Sequence, residues 1–484
     1  MTRFPLLSKA LALFAVGLMV VLVLWRIEGL VGERRHRQIE ATRGIQQSLA
    51  GPQTLLGPLL QRHCVESWTQ WVGEGKERHE ATERRETVLA AVPATLKVTG
   101  QLRAEARHRG LFKANGYAGP VGLQATWPGL ATLQPRREHA GSRMDCTPVR
   151  VLLSVSDVRG LRSAQVLVDG EKLEVQPGTG HARYTRGLHV LLGDSRSQQA
   201  EGPLVVNVSL DLLGTSQLAL VPAAGETSWS LSSDWPHPSF GGRFLPVTRE
   251  VGEAGFQARW AVSSLASPAA AEAQGNGELC ALAEPGVMAG AIAGAPDGVE
   301  WSTLPPPMAA KVGPCLDTLG VAFIDPVNPY VLTDRATKYA LLFIALTFVA
   351  VALVEVLARA RVHPVQYLMV GLALVLFFQL LLSLSEHLSF GQAYAAASIA
   401  CVTLLGYYAA HMLGRRAAGA WFGAGVALLY GLMWLLLRLE QTALVIGSVA
   451  LFAVLAAVMV LTRRLDWYAL FDGFRRSGSP GSAA

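Results

Sequence analysis

Glu355 stands inside the apolar run of "LVEVLARARVHP", residues 353–364, and is followed by Arg359, Arg361 and His363. A carboxylate there can serve in two ways. It can hold or pass a cation within a membrane, since an intramembrane ionisable group is a functional candidate. It can also pair with a cation at a helix end, and Arg359 lies at i, i+4, where such pairs form. Its place near the end of the run makes the ion pair the expected use. Glu386 and His387, in "SLSEHLSFGQ", are a second acid and base; with Gln379 and Glu355 they are the candidates for a polar path between helices.

Asp157 and Arg159, in "SVSDVRGL", are two residues apart at the end of an apolar strand and so share a face. A structural ion pair beside a turn at Gly160 is expected, with a ligand- or partner-binding pair as the alternative. "HPSFGGRFLP" reads as a structural strand bend. The sequence contains no H-E-x-x-H, G-x-S-x-G, Walker-type loop or paired C-x-x-C, and its eleven histidines are scattered. No catalytic residue, metal ligand or cofactor is therefore assigned. Cys64, Cys146, Cys280 and Cys315 lie in one polar region and Cys401 in an apolar run. Four cysteines in an exported domain allow three disulfide connectivities. Cys280–Cys315 is the expected bridge, closing most of an Ala-, Gly- and Pro-rich stretch; on the chain-entropy model a loop of about 35 residues gains roughly 3–4 kcal/mol.

The elements that hold these groups follow from hydropathy. Only 16% of the 484 residues are charged, against about 25% in soluble proteins. The apolar excess is concentrated in residues 5–25 and 339–461. Five runs, 339–357, 365–384, 393–413, 420–437 and 442–461, each have about 18–21 residues. That length crosses a bilayer core of about 30 Å as a helix. A sixth run, 11–25, follows Arg3 and Lys9 and lacks a small-x-small cleavage site. It reads as an uncleaved signal anchor. Short loops and the tail set the orientation. Arg3, Lys9, Arg359, Arg361, Arg415, Arg416, Arg463, Arg464, Arg475 and Arg476 fall on one side, and the opposite short loops hold only Arg438. Both termini are thus expected in the cytoplasm, with six spans. Arg26, Arg34, Arg35 and Arg37 oppose this, but they begin a long translocated domain, which crosses largely regardless of charge. The net charge of +6 goes with membrane edges and lipid, not nucleic acid.

Between the apolar parts the period is mostly two. "TLKVTGQLRAE" alternates as a half-buried strand, and "QVLVDGEKLEV" reads as a hairpin around Asp169-Gly170. "PLVVNVSLDLLGTSQLALVP" gives two strands around Gly214, and residues 28–49 a charged helix. The expected architecture is a membrane α+β protein. It has an anchor at 1–26, a periplasmic antiparallel β-sandwich-like domain at 27–336 with an insertion at 264–314, a five-helix bundle at 337–462, and a cytoplasmic tail at 463–484.

"VRVLLSVSDVRGL", "PSFGGRFLP" and the segment 335–397, with "TLLGPLL", "RHRGLF" and "RRLDWY", together resemble the CreD inner membrane proteins of Gram-negative bacteria. The resemblance covers nearly the whole chain. It departs at "QRHCVESW", where the family has a short apolar-Pro-Tyr strand, and in the Ala-rich insertion. It implies a non-enzymatic envelope protein under a carbon- and envelope-responsive two-component system, linked to envelope integrity and tolerance of certain colicins. A periplasmic or inner-membrane protein partner is compatible with it. A transporter or lipid-handling protein is the alternative, and a periplasmic hydrolase a more distant one.

Overall fold

The computed structural model describes residues 5–72, 79–110, 112–274, 317–325, 329–357, 362–439 and 443–463. The chain divides into two compact units, Met1–Gln38 with Val327–Ala484, and Ile39–Pro326.

The helices are α1 (Pro5–Ser48), α2 (Asp194–Gln198), α3 (Ala269–Gln274), α4 (Pro329–Leu357), α5 (Pro364–Ser385), α6 (Phe390–Met412), α7 (Arg416–Arg438) and α8 (Ala443–Thr462). Five of them, α1 and α4 to α7, are long and apolar enough to cross a membrane. The expected anchor and the charged helix after it are one continuous element, α1. Local sequence sets the helix starts. His363 accepts a hydrogen bond from the Val365 amide at 3.3 Å, and the Gln366 side chain reaches back to the His363 amide at 3.0 Å. Pro364 follows, where a missing N–H costs nothing. Ser389 and Gln392 form the same box at the start of α6.

Helices α6 and α7 meet through small residues. A Cβ added at Gly419 would lie 2.4 Å from the Ala410 Cβ, and the Cβ positions of Gly406 and Gly423 are within 3.6 Å of the facing helix. Small-xxx-small pairs let helix backbones approach in lipid, where packing rather than hydrophobicity drives association.

The strands of the second unit are β1 (Gln53–Val72), β2 (His79–Ala91), β3 (Thr95–Arg109), β4 (Phe112–Trp127), β5 (Arg143–Cys146), β6 (Arg150–Val155), β7 (Leu161–Val168), β8 (Glu171–Leu173), β9 (Gln176–Pro177), β10 (Gly187–Leu191), β11 (Leu204–Thr215), β12 (Gln217–Leu220), β13 (Glu226–Ser233), β14 (Pro238–Gly242), β15 (Thr248–Gly252), β16 (Gly255–Ser263) and β17 (Leu319–Phe323). Sheet A runs β14-β17-β12-β1-β6-β10-β9, with β2 and β5 also on β1. Sheet B runs β15-β16-β13-β3-β4-β11-β7-β8. The sheets are mixed, not wholly antiparallel: β1–β12 and β3–β13 pair in parallel. Pairing between such distant segments leaves no local mark in the sequence.

Alternation puts Leu96, Val98, Leu123, Val208 and Trp229 of sheet B against Val151, Leu153, Leu218 and Val321 of sheet A in one core. The hairpin turn at Asp169 (φ 51°) and Gly170 (φ 90°) joins β7 to β8, as the sequence indicates. The break in "LLGTSQ" falls at Ser216 (φ 64°), not Gly214, and there the chain passes from sheet B to sheet A.

Gly419→Leu should lower the yield and melting temperature of the detergent-solubilised protein. Gly425→Leu, where an added Cβ meets nothing within 4 Å, should leave both near wild type. Equal behaviour of the two variants in fluorescence-detected size exclusion would refute the close α6–α7 contact.

Candidate functional site

Asp157 and Arg159 stand at the entrance to the β-rich unit. Asp157 caps the short turn Val158–Gly160, its side chain accepting from the Arg159 amide. Its Oδ2 accepts from the Gly51 amide at 2.9 Å, and its Oδ1 from the Arg159 Nε at 2.9 Å. The Arg159 guanidinium donates to the carbonyls of Gln46 and Gln47 in the last turn of α1. A cation at a helix C-terminus meets carbonyls that have no intrahelical partner and the negative end of the helix dipole. The expected ion pair is therefore present, and it binds the chain where helix becomes strand.

Polar groups around the pair complete the junction. Gln53 donates to the carbonyls of Asp157 (2.9 Å) and Leu213 (3.3 Å) and is fully buried. Ser156 donates to Pro52 O at 2.7 Å, Thr215 to Ala50 O at 2.9 Å, and Tyr117 to Gln217 O at 2.7 Å. Gly160 is needed for space: a Cβ would lie 2.2 Å from both Gln53 Nε2 and Leu213 O. Burial opposes ionisation of Asp157, but hydrogen bonds from Arg159 and Gly51 outweigh it and hold the carboxyl below its ordinary value. Hydrogen bonding to Asp157 likewise raises Arg159.

A second polar centre holds the 134–142 loop against β1. Glu66 accepts from the Ser142 hydroxyl at 2.6 Å and from the Glu138 and His139 amides at 3.0 Å. These bonds, Ser142 foremost, keep its carboxyl low. Buried Arg62 donates to the carbonyls of Thr147, Leu133 and Ser197. Between them Cys64 and Cys146 are disulfide-bonded across β1 and β5. That pairing is compatible with only one of the three connectivities, the one joining Cys280 to Cys315, both of which lie outside the described residues. His63, beside Cys64, is lowered by burial and by the Arg150 charge, with Glu86 partly opposing. Its Nε2 is buried without a hydrogen-bond partner among the described residues.

In the other unit, Glu355 accepts from the Tyr367 hydroxyl at 2.9 Å and from the Val362 amide at 3.4 Å. Arg359 and Arg361 lie outside the described residues. Glu386 follows α5 and pairs with Arg34 of α1 at 3.4 Å, its side chain 11% exposed. The amide of His387 bonds to Leu384 O at 3.1 Å. Tyr367 and Glu386 are at opposite ends of α5, a helix of 22 residues and so about 33 Å long. Glu355 and Glu386 with His387 are thus not brought into one polar path. The Arg34–Glu386 pair carried no local signal; its only trace is the unexplained basic run "GERRHR".

A cleft of about 890 Å³ opens on sheet B, lined by Gln101, Arg103, Arg162, Asp211, Ser232 and Glu250 among others. Its serines, Ser232 and Ser233, have no histidine beside them in the lining. Among the described residues no group of histidine, cysteine and acids is placed to hold a metal ion.

A β-rich unit joined by one continuous helix to a set of long apolar helices defines a membrane α+β protein. The model of the family "Inner membrane protein CreD" matches residues 5–468, and the chain belongs to that family. Inner membrane protein CreD of Escherichia coli (strain K12) is 34% identical over 476 residues, covering 97% of this chain and 95% of that protein. Neither name is that of an enzyme. Two solved structures align weakly. Yeast LTA4 hydrolase in complex with bestatin shares 11% identity over 34% of this chain and 26% of its own, at a TM-score of 0.19. Native leukotriene A4 hydrolase from Saccharomyces cerevisiae shares 10% over 35% and 27%, also at 0.19. At that score neither carries an argument.

Two measurements test these sites. Below about pH 6.5 the unfolded chain protonates His63 while the folded one resists, so stability falls as pH falls. Asp157 and Glu66 stabilise above their ordinary values of 3.8 and 4.5. Their contribution is lost as pH drops through their lowered folded values. The melting temperature should therefore fall in two stages on acidification, and His63→Gln should flatten the first. An unchanged first stage in that variant would remove His63 from the account. Separately, Tyr367→Phe and Glu355→Gln should each reduce the amount of folded protein, and the double variant should do little more. Additive losses would show that the two side chains act independently.

Proposed function

We propose that the protein is a non-enzymatic inner-membrane component of the cell envelope, with six spans, both termini in the cytoplasm and its β-rich domain in the periplasm. There the domain binds a periplasmic or cell-wall component, supporting envelope integrity and, with it, tolerance of colicins under two-component control. Membrane lipids surround the helices, and an inner-membrane or periplasmic protein is a further partner. The observation that carries this reading is the Cys64–Cys146 disulfide in the β-rich unit. Structural disulfides belong to oxidising compartments, and the family places the chain in the inner membrane. The sixth span is α8, of 20 residues. The arginine distribution supports the orientation. The separation of Glu355 from Glu386 speaks against a transport path that uses both.

Single cysteines introduced on the β-rich unit, for example at Ser230 or Lys97, should react with a membrane-impermeant maleimide in intact cells. One at Arg415 should react only after permeabilisation. Labelling of position 415 from outside would reverse the topology. Peptide mapping of the unreduced protein should recover Cys64–Cys146 and Cys280–Cys315; free thiols at 280 and 315 would reject the second bridge.

A further inference from the structure

The two sheets bury their facing sides in a common core, but their outer sides differ. Sheet A's outer face carries Leu56, Leu59 and Leu152, covered by Tyr184 and by Ala269 and Ala273 of α3. Sheet B's outer face has no such cover among the described residues. Its outward positions include Ser230 and Ser232 on β13, Thr99 and Gln101 on β3, and Asn207 and Ser209 on β11, all exposed or half-buried.

Register aligns one line of these across the sheet. Glu250 faces Gln257, Gln257 faces Ser232, and Ser232 faces Gln101. Beyond Pro120 on β4, Asp211 faces both Pro120 and Ser163. Seven strands about 4.8 Å apart make this row roughly 29 Å long. Pairing of β3 with β4 lapses in the row, between Gly100–Val121 and Arg103–Ala118. The cleft of about 890 Å³ lies along it, within the range of about 300–1,000 Å³ usual for ligand sites.

The row's chemistry narrows the occupant. It has amide, hydroxyl and carboxylate groups; of the larger apolar side chains in the cleft lining, Leu102 and Phe256 are buried in the core and only Pro120 and Val251 are exposed, so an apolar ligand finds little wall. Two cations, Arg103 and Arg162, stand among four acids, Glu105, Asp211, Asp234 and Glu250. That balance repels phosphate-rich ligands. A peptide adding as a strand would need a sheet edge, whereas this row crosses the strands. What remains complementary is a chain rich in hydroxyls without net negative charge. Carboxylates accept hydrogen bonds strongly, and amides both donate and accept.

We propose that the outer face of sheet B binds a glycan strand laid across the strands, with Gln101 and Asp211 at its centre. This deepens, and rests on, the reading of the β-rich domain as one that binds an envelope component. The full chain in nanodiscs, titrated by calorimetry with tetra-N-acetylchitotetraose and with maltotetraose, should bind at least one of them saturably. Gln101→Ala and Asp211→Ala should each weaken binding ten-fold or more without shifting the melting temperature. Lys97→Ala, on the same face but outside the cleft lining, should bind as wild type. No binding of either sugar, equal binding by the variants, or binding only of a tetra-alanine control peptide would overturn the proposal. Such a failure with the cysteine labelling pattern intact rejects the glycan and leaves the topology standing; an inverted labelling pattern rejects the envelope reading whatever the sugars do.

Discussion

The Asp157–Arg159 pair is the contact on which the β-rich unit's entry depends. A helix that ends at Ser48 leaves carbonyls without partners, and strand β1 begins only at Gln53. In the few residues between, backbone bonds such as Leu49 N to Ile45 O and Thr215 N to Gly51 O serve only part of the chain, and side chains must serve the rest. Arg159 takes the carbonyls of Gln46 and Gln47, Asp157 takes the Gly51 amide, and Thr215 takes the Ala50 carbonyl. One ion pair thus satisfies both the end of a helix and the start of a strand. Its worth lies in these backbone partners more than in the charges, since an exposed pair alone contributes about 0–1 kcal/mol.

The same economy operates around Glu66 and Arg62. Each is a charge on β1 turned to backbone groups of segments far along the chain, and the disulfide at Cys64 lies between them. Buried charges persist where every polar neighbour has a partner. The long strand β1 therefore carries three different fasteners in five residues, from Arg62 to Glu66. They hold down the polar loop and β5, whose short length gives little ladder of its own.

Much of this was legible in the sequence, and the rest was hidden for physical reasons. Apolar length identified the five helices long and apolar enough to cross a membrane, because no water in a bilayer can satisfy a backbone that is not helical. Period-two alternation identified β3 and β11, and Asp169-Gly170 announced its hairpin because both positions need positive φ. Asp157 and Arg159 were readable as a pair, since their spacing is local. Their partners Gln46, Gln47 and Gly51 were not, being about a hundred residues away. The same holds for Arg34 with Glu386 and for the parallel pairing of β3 with β13. The flanking of the Ala-, Gly- and Pro-rich stretch by Cys280 and Cys315 carries no sign that Cys64 and Cys146 sit opposite each other on adjacent strands.

The outer faces of the two sheets show how alternation fixes core and surface together. On β13, Trp229, Leu231 and Ser233 point inward while Ser228, Ser230 and Ser232 point out. A one-residue slip would exchange the two sets. Sheet A escapes this strict division because its outer face is also apolar, and α3 must then lie over it. Among the described residues sheet B has no apolar outer stripe of that kind and so needs no such cover. Stability does not require its central outward positions to be serine, threonine, asparagine and glutamine; charged side chains would keep that face wet equally well. Hydrogen-bonding groups in register across the sheet, Gln257, Ser232 and Gln101 between Glu250 on one side and Asp211 on the other, are a pattern that solubility alone leaves unexplained. It is the pattern a surface has when it must lie close to something that also brings hydroxyls and amides.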